Sequence, residues 1–185
     1  SWGAWLGWWY AAQHPLQVKR LILVSSGPFE AHYTTSMNET RFSRLTAEEN
    51  AEVQELMSKF IDPELKDKEA LFSRFGELFG KADNFETIEV DAPTSENDMD
   101  MYNAVWPQGA ALRKNGALLA DAGLIKTPVV AIHGDYDPHP WQGVKEPLSR
   151  SLEDFTFHLL PNCGHCPWIE RKAQDAFFQL LHQYL

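Results

Sequence analysis

Three short apolar runs, separated by stretches of a different period, constrain this chain more than any other feature. Val18 to Ser25 reads VKRLILVS, a basic approach and then a continuous apolar run, ended by Gly27-Pro28. Thr127-Pro128 leads into VVAIHGD, which breaks at Gly134, and Asp154 to Leu160 reads DFTFHLL before Pro161-Asn162. A strand wetted on one face alternates apolar and polar residues. A run that is apolar at successive positions is covered on both faces, as in a parallel sheet flanked by helices. The covering helices are also legible. Trp2 to Gln13 is small and aromatic up to His14-Pro15, which stops a buried helix. Gln142 to Ser151 reads as a short helix, and Pro167, suited to the first helical position, opens a last one that runs to Tyr184. Right-handed crossovers then give a β-α-β-α order.

Between the first and second runs the apolar period becomes helical. Ala47 to Phe60 and Glu69 to Phe79 space their apolar residues three and four apart. Glu86 to Met101 is acidic and reads as a loop, and a helix from about Tyr102 to Ala120 contains Trp106-Pro107, which blurs its start. The expected fold is the C-terminal part of a doubly wound, mostly parallel α/β sheet with a helical lid insertion. Residues 1–28 and 126–185 are the expected core, and residues 29–125 the lid.

Charge is distributed along the same division. Phe29 to Ile125 carries 19 Asp and Glu against 9 Lys and Arg, leaving 7 against 7 elsewhere, so the net charge of −10 belongs to the helical segment. That excess of carboxylates excludes a nucleic-acid backbone as partner, since phosphate binding needs clustered Lys and Arg. No apolar run approaches the roughly 18 to 20 residues that cross a bilayer, so no membrane span is expected. With 44% hydrophobic residues in 185, there is material for one substantial core. Two cysteines are too few for a disulfide-built scaffold, which favours a reducing cytoplasm. The chain opens on Ser1, without Met or a leader, and its front is expected to be missing.

Ser1-Trp2-Gly3 taken alone is a serine before a helix, most often an N-cap. Placed in a tight strand-to-helix turn, the hydroxyl of Ser1 would point out of the sheet top. Gly3 would then be required by crowding, and the backbone N–H of Trp2 would face an oxyanion. Asp137 follows the second apolar run directly, in Gly134-Asp135-Tyr136-Asp137-Pro138. His165 follows the third, in Asn162-Cys163-Gly164-His165. Reactive groups of open α/β sheets gather at the carboxyl ends of strands, so Ser, Asp and His are brought to one edge in that order.

SWG with its aromatic helix, RLILVSSGP, PVVAIHGDYD and CGHCPW, in this order, resemble the α/β-hydrolase superfamily over essentially the whole chain. The resemblance is to its capped group of proline iminopeptidases, cofactor-free haloperoxidases and small carboxylesterases. It implies a serine hydrolase acting on a small ester or amide through an acyl-enzyme on Ser1. Asp137 is then the orienting acid, with Asp135 as competitor, His165 the general base and the Trp2 N–H an oxyanion donor; neither cofactor nor metal is needed. The first two positions of the family's G-x-S-x-G turn and the loop with the second oxyanion donor would lie before Ser1. The 185 residues alone are therefore expected to be nearly inactive.

Other readings compete for the same residues. Cys163-Gly164-His165-Cys166 spells the CGHC of thiol-disulfide oxidoreductases, although only one helix follows it where a thioredoxin needs more strands. His133, Asp135, Asp137 and His139 alternate as metal ligands would, but Pro138 and Pro140 interrupt the alternation. His14, His32, His158 and His182 have no evident partner. The lid, with Met37, Phe42, Met99, Met101, Tyr102 and Trp106, suits an acyl pocket. Its carboxylates either attract a cationic substrate end, as acidic lid residues do in proline iminopeptidases, or simply keep the surface soluble. A binding module that uses the pocket as a receptor is the non-enzymatic alternative.

Overall fold

The three apolar runs form one parallel sheet in the order β1-β2-β3, where β1 is Leu21–Val24, β2 Val129–Gly134 and β3 Phe155–Leu160. In this computed structural model residues 1–62, 65, 68–89 and 99–185 are described. β2 lies in the middle and is buried at every position, which is why its sequence has no polar alternation. Leu21 to Val24 pair with Val129 to Ile132, and Val129 to Gly134 with Phe155 to Leu160. β1 is shorter than the Val18 to Ser25 expected from sequence. Its ladder starts where the Leu21 N–H donates to the carbonyl of Pro128 (3.0 Å), and Pro128 has no N–H to return toward Arg20.

Successive strand residues face opposite sides, and each side has its own cover. Leu21, Leu23, Val129 and Ala131 pack with Trp5, Trp8, Ala11 and Ala12 of α1 (Trp2–Gln13) and with Val144 and Leu148 of α7 (Gln142–Ser151). Val130 and Ile132 pack on the other side with Ala173 and with Phe177 of α8 (Gln174–Tyr184). The sheet is therefore doubly wound. Two fully buried indoles tie α1 to distant segments. Trp8 Nε1 donates to the Leu118 carbonyl (2.9 Å) and Trp5 Nε1 to that of Gly27 (3.1 Å), so each brings a large apolar body inside without orphaning its polar atom.

Between β1 and β2 the described residues are helical: α2 (Met37–Ser43), α3 (Ala47–Lys59), α4 (Lys68–Asp83), α5 (Met99–Lys114) and α6 (Ala117–Ala120), with single 3-10 turns at Ala31–Thr34 and Asp121–Leu124. α3 opens on a reciprocal capping box between Thr46 and Glu49. Leu45, Val53, Leu56, Leu78 and Ala82 give this segment a small core of its own. The single helix expected over 102–120 is two, because Gly116 takes a left-handed conformation (φ 79°) that ends the first. α2 was not expected. The acidic loop expected over 86–101 lies outside the described residues at 90–98. No helix among the described residues is long and apolar enough to cross a membrane.

The last helix also divides. Pro167–Ile169 is a 3-10 turn and α8 starts only at Gln174, because Glu170 between them is extended (φ −79°, ψ 116°) and turned inward. His158, unassigned from sequence, meets the Tyr184 hydroxyl at 2.8 Å.

Candidate active site

Because the strands are parallel, Val24, Gly134 and Leu160 end at one rim, and the segments of interest leave from there. The loop after β2 carries Asp137, buried, and the loop after β3 carries His165, partly exposed. Gly134 makes the approach of these loops possible: a Cβ there would stand 2.1 Å from the Cys163 carbonyl oxygen. His165 Nδ1 lies 2.7 Å from Asp137 Oδ2. A carboxylate only accepts hydrogen bonds, so Nδ1 carries the proton and Nε2 the lone pair.

The other carboxylate oxygen is also taken. Asp137 Oδ1 accepts from Nδ1 of His139 (2.7 Å) and from the His139 backbone N–H (2.9 Å), and the two imidazoles lie 4.6 Å apart. His139 is therefore also Nδ1-protonated. Asp137, His139 and His165 form the single group among the described residues with spacing suited to a metal. At 2.7 Å, however, each nitrogen is within direct hydrogen-bonding distance of a different oxygen. His133 and Asp135 are not part of that group.

Burial opposes ionisation of Asp137, but the hydrogen bonds from His139 and His165 outweigh it and hold its pKa well below the carboxylate range. Burial lowers the pKa of His139 despite the neighbouring carboxylate, and pushes that of fully buried His133 down to about 4. His133 is therefore neutral. Its Nε2–H donates to the His139 carbonyl (2.9 Å), which leaves Nδ1 as an acceptor without a partner among the described residues. Asp135, the competitor for the acid, is exposed and accepts a weak bond from the Cys163 N–H (3.3 Å).

Ser1 stands at the start of α1, its backbone nitrogen 3.3 Å from the carbonyl of Val24, the last residue of β1. The serine thus reaches the same rim, and its nitrogen is close enough to feel the charge of Asp137 and the thiol of Cys166. Its hydroxyl makes no hydrogen bond with His165 among the described residues. Trp2 supplies the first helical N–H, one of the four that a helix leaves unpaired. The crowding expected at Gly3 is not found: a Cβ there meets nothing within 4 Å. Crowding does require Gly164 as well as Gly134: a Cβ at Gly164 would stand 2.3 Å from the Asp83 carbonyl oxygen. Ser25, just past β1, takes a left-handed conformation (φ 45°), uncommon for a residue with a side chain.

The His165 loop is held from the helical segment. The His165 N–H donates to the Asp83 carbonyl (2.9 Å), while the Asp83 carboxylate takes both arms of Arg41 (2.7 Å each). Glu170, completely buried, accepts from three backbone N–H groups: Gly164 (2.7 Å), Phe85 (2.7 Å) and Glu86 (2.8 Å). One carboxylate thereby joins the His165 loop to residues 85 and 86. The cysteines of CGHC are ordinary thiols. Burial raises Cys163 to about 12 and Cys166 to about 11, the reverse of the lowered pKa a redox cysteine needs.

A cavity of about 490 Å³ opens beside the rim. Its walls include Trp5 and His139 from the sheet side and Phe72, Phe75, Tyr102 and Trp106 from the helical segment, together with Arg41 and Arg113. Sequence reasoning missed His139 as a partner of Asp137, although Asp-Pro-His places a ring two residues beyond the carboxylate. Glu170 gave no signal in sequence at all.

A doubly wound parallel sheet with Asp and His following successive strands defines an α/β protein with its site at the carboxyl rim. Residues 1–172 match the alpha/beta hydrolase fold, and the chain belongs to that family. Among solved structures it is similar to VinJ, at 17% identity and a TM-score of 0.64, covering 100% of this chain and 62% of that one. It is similar also to a proline iminopeptidase from Mycobacterium smegmatis (18%, TM-score 0.56, covering 98% and 62%) and to a monoacylglycerol lipase from Paleococcus ferrophilus (13%, TM-score 0.55, covering 98% and 63%). At these identities the likeness is one of fold. The chain spans less than two thirds of the length of each. No curated protein matches the sequence.

Proposed function

We propose that this chain carries the catalytic rim of a serine hydrolase for small esters or amides, with Ser1 as nucleophile, His165 as general base, Asp137 as orienting acid and the Trp2 N–H as one oxyanion donor. The observation that carries this reading is the 2.7 Å bond from His165 Nδ1 to buried Asp137, on the rim where Ser1 lies beside the end of β1. It leaves His165 Nε2 as a lone pair. As Ser1 Oγ attacks the substrate carbonyl, that nitrogen takes the hydroxyl proton, and Asp137 stabilises the imidazolium. The proton passes to the departing alcohol or amine. Water then attacks the acyl-serine, gives its proton to His165, and the acid leaves as Ser1 is restored.

In this reading residues 29–125 are the cap and the aromatic cavity is the acyl pocket. The nucleophile and base need not touch in the empty enzyme, since such contacts tighten when substrate binds.

The test is fluorophosphonate labelling of the full-length protein, with the adduct located by mass spectrometry. The adduct is expected on Ser1, and to be lost in Ser1→Ala and in His165→Ala. Ester turnover that survives Ser1→Ala, or an adduct elsewhere, would sink the assignment. Ligand binding without an adduct would favour the receptor-like alternative.

A further inference from the structure

We propose that the cavity is built for a substrate with an anionic end, a carboxylate held by Arg113 while the apolar part lies against the aromatic wall. This rests on the hydrolase reading above and names its substrate class. Six aromatic rings of the helical segment line the wall, and its charged side chains among the described residues are both arginines. Arg41 is already matched, since both its arms go to Asp83. His139 is spent on Asp137.

Arg113 differs from both. It is half-buried near the end of α5, and among the described residues its guanidinium has no carboxylate partner, only the ring of Trp5 at 5.3 Å. Burial pushes its pKa below the ordinary value, the mark of a cation drawn out of water without a compensating anion. A guanidinium stays charged under all ordinary conditions, so an anion brought by a ligand would compensate it. Its planar fork matches the two oxygens of a carboxylate, and a cavity of about 490 Å³ has room for a small acyl or aryl group beside it. The acidic excess of residues 29–125 is therefore not the sign of a cationic substrate. Among the described residues none of those carboxylates lines the cavity.

The experiment compares charged and neutral twins on the full-length protein. The p-nitrophenyl hemiester of glutaric acid is set against its methyl ester in turnover. Phenylbutyrate is set against phenylbutyramide in binding, read from quenching of the cavity tryptophans in Ser1→Ala. The anionic member of each pair is expected to win by tenfold or more. Arg113→Met is expected to raise KM for the hemiester about 10- to 100-fold with kcat and the neutral ester little changed, and Arg113→Lys to fall between.

Equal treatment of the twins by the unaltered protein would overturn the proposal, as would equal loss for both esters in Arg113→Met. If Arg113→Met fails to fold, the twin comparison in the unaltered protein and Arg113→Lys still decide. Should no ester be hydrolysed and Ser1 resist fluorophosphonate, the hydrolase reading fails, while the binding of phenylbutyrate over its amide is judged separately.

Discussion

One carboxylate serving two imidazoles raises the question of which ring does the chemistry. Both are Nδ1-protonated by the same argument, and both keep a basic Nε2. They differ in setting: His139 is 3% exposed and its backbone N–H is locked onto the same Asp137 oxygen, whereas the side chain of His165 is 18% exposed on a separate loop. A base has to give and take protons with substrate and water, which favours the freer ring. In the proposed mechanism His139 is then a positioning residue, its hydrogen bonds helping to hold Asp137 ionised. His165→Ala and Asp137→Asn are accordingly expected to lower kcat for p-nitrophenyl acetate by about 10³- to 10⁴-fold, the amide because it offers the imidazole a donor where an acceptor is needed. His139→Gln, which keeps a donor at that oxygen, is expected to cost about tenfold or less. A mild His165→Ala and a severe His139→Gln would exchange the two roles.

Glu170 shows how a loop becomes part of a site when separate elements share one buried group. Its carboxylate takes N–H groups from residue 164 on one side and from 85 and 86 on the other. In Glu170→Gln the amide nitrogen turns a donor toward one of these donors. A loss of about 1 to 3 kcal/mol is expected in urea unfolding. Because Gly164 adjoins His165, kcat should fall more than KM, and unchanged kcat in a destabilised variant would show that the clasp holds the fold alone. The same comparison explains what the sequence could tell. Strands, flanking helices and the positions of Asp137 and His165 follow from local period and from loops that leave strand ends, and these were legible. Glu170 reaches residues 85 and 86, and Asp83 reaches Arg41 and the His165 N–H, across 42 to 85 residues, at spacings no local pattern records. Gly116, which splits a helix, and Glu170, which delays another, override the periodicity that predicted unbroken helices.

At the scale of the whole molecule, the site sets the response to acid. The imidazole of His133 is enclosed under the rim and stays neutral down to about pH 4, whereas an unfolded histidine takes its proton near pH 6.5. Below that upper value the unfolded chain binds a proton that the fold refuses, so stability falls as pH falls between the two and is fully present above them. The span corresponds to about 3 kcal/mol, and the lowered pKa of His139 adds in the same direction. Asp137 follows at lower pH: held ionised in the fold, it contributes stability that disappears as its carboxylate is protonated. The charge of −10 works the other way, because acid relieves self-repulsion, and that opposing part shrinks in high salt. Urea unfolding from neutral pH to about pH 4.5, in high salt, should therefore show a steady loss that is clearly smaller in His133→Gln, which keeps a donor toward the His139 carbonyl but cannot be protonated, the remainder coming from His139. A flat profile in the unaltered protein, or an equal slope in the variant, would mean that acid opens the molecule somewhere other than beneath the rim.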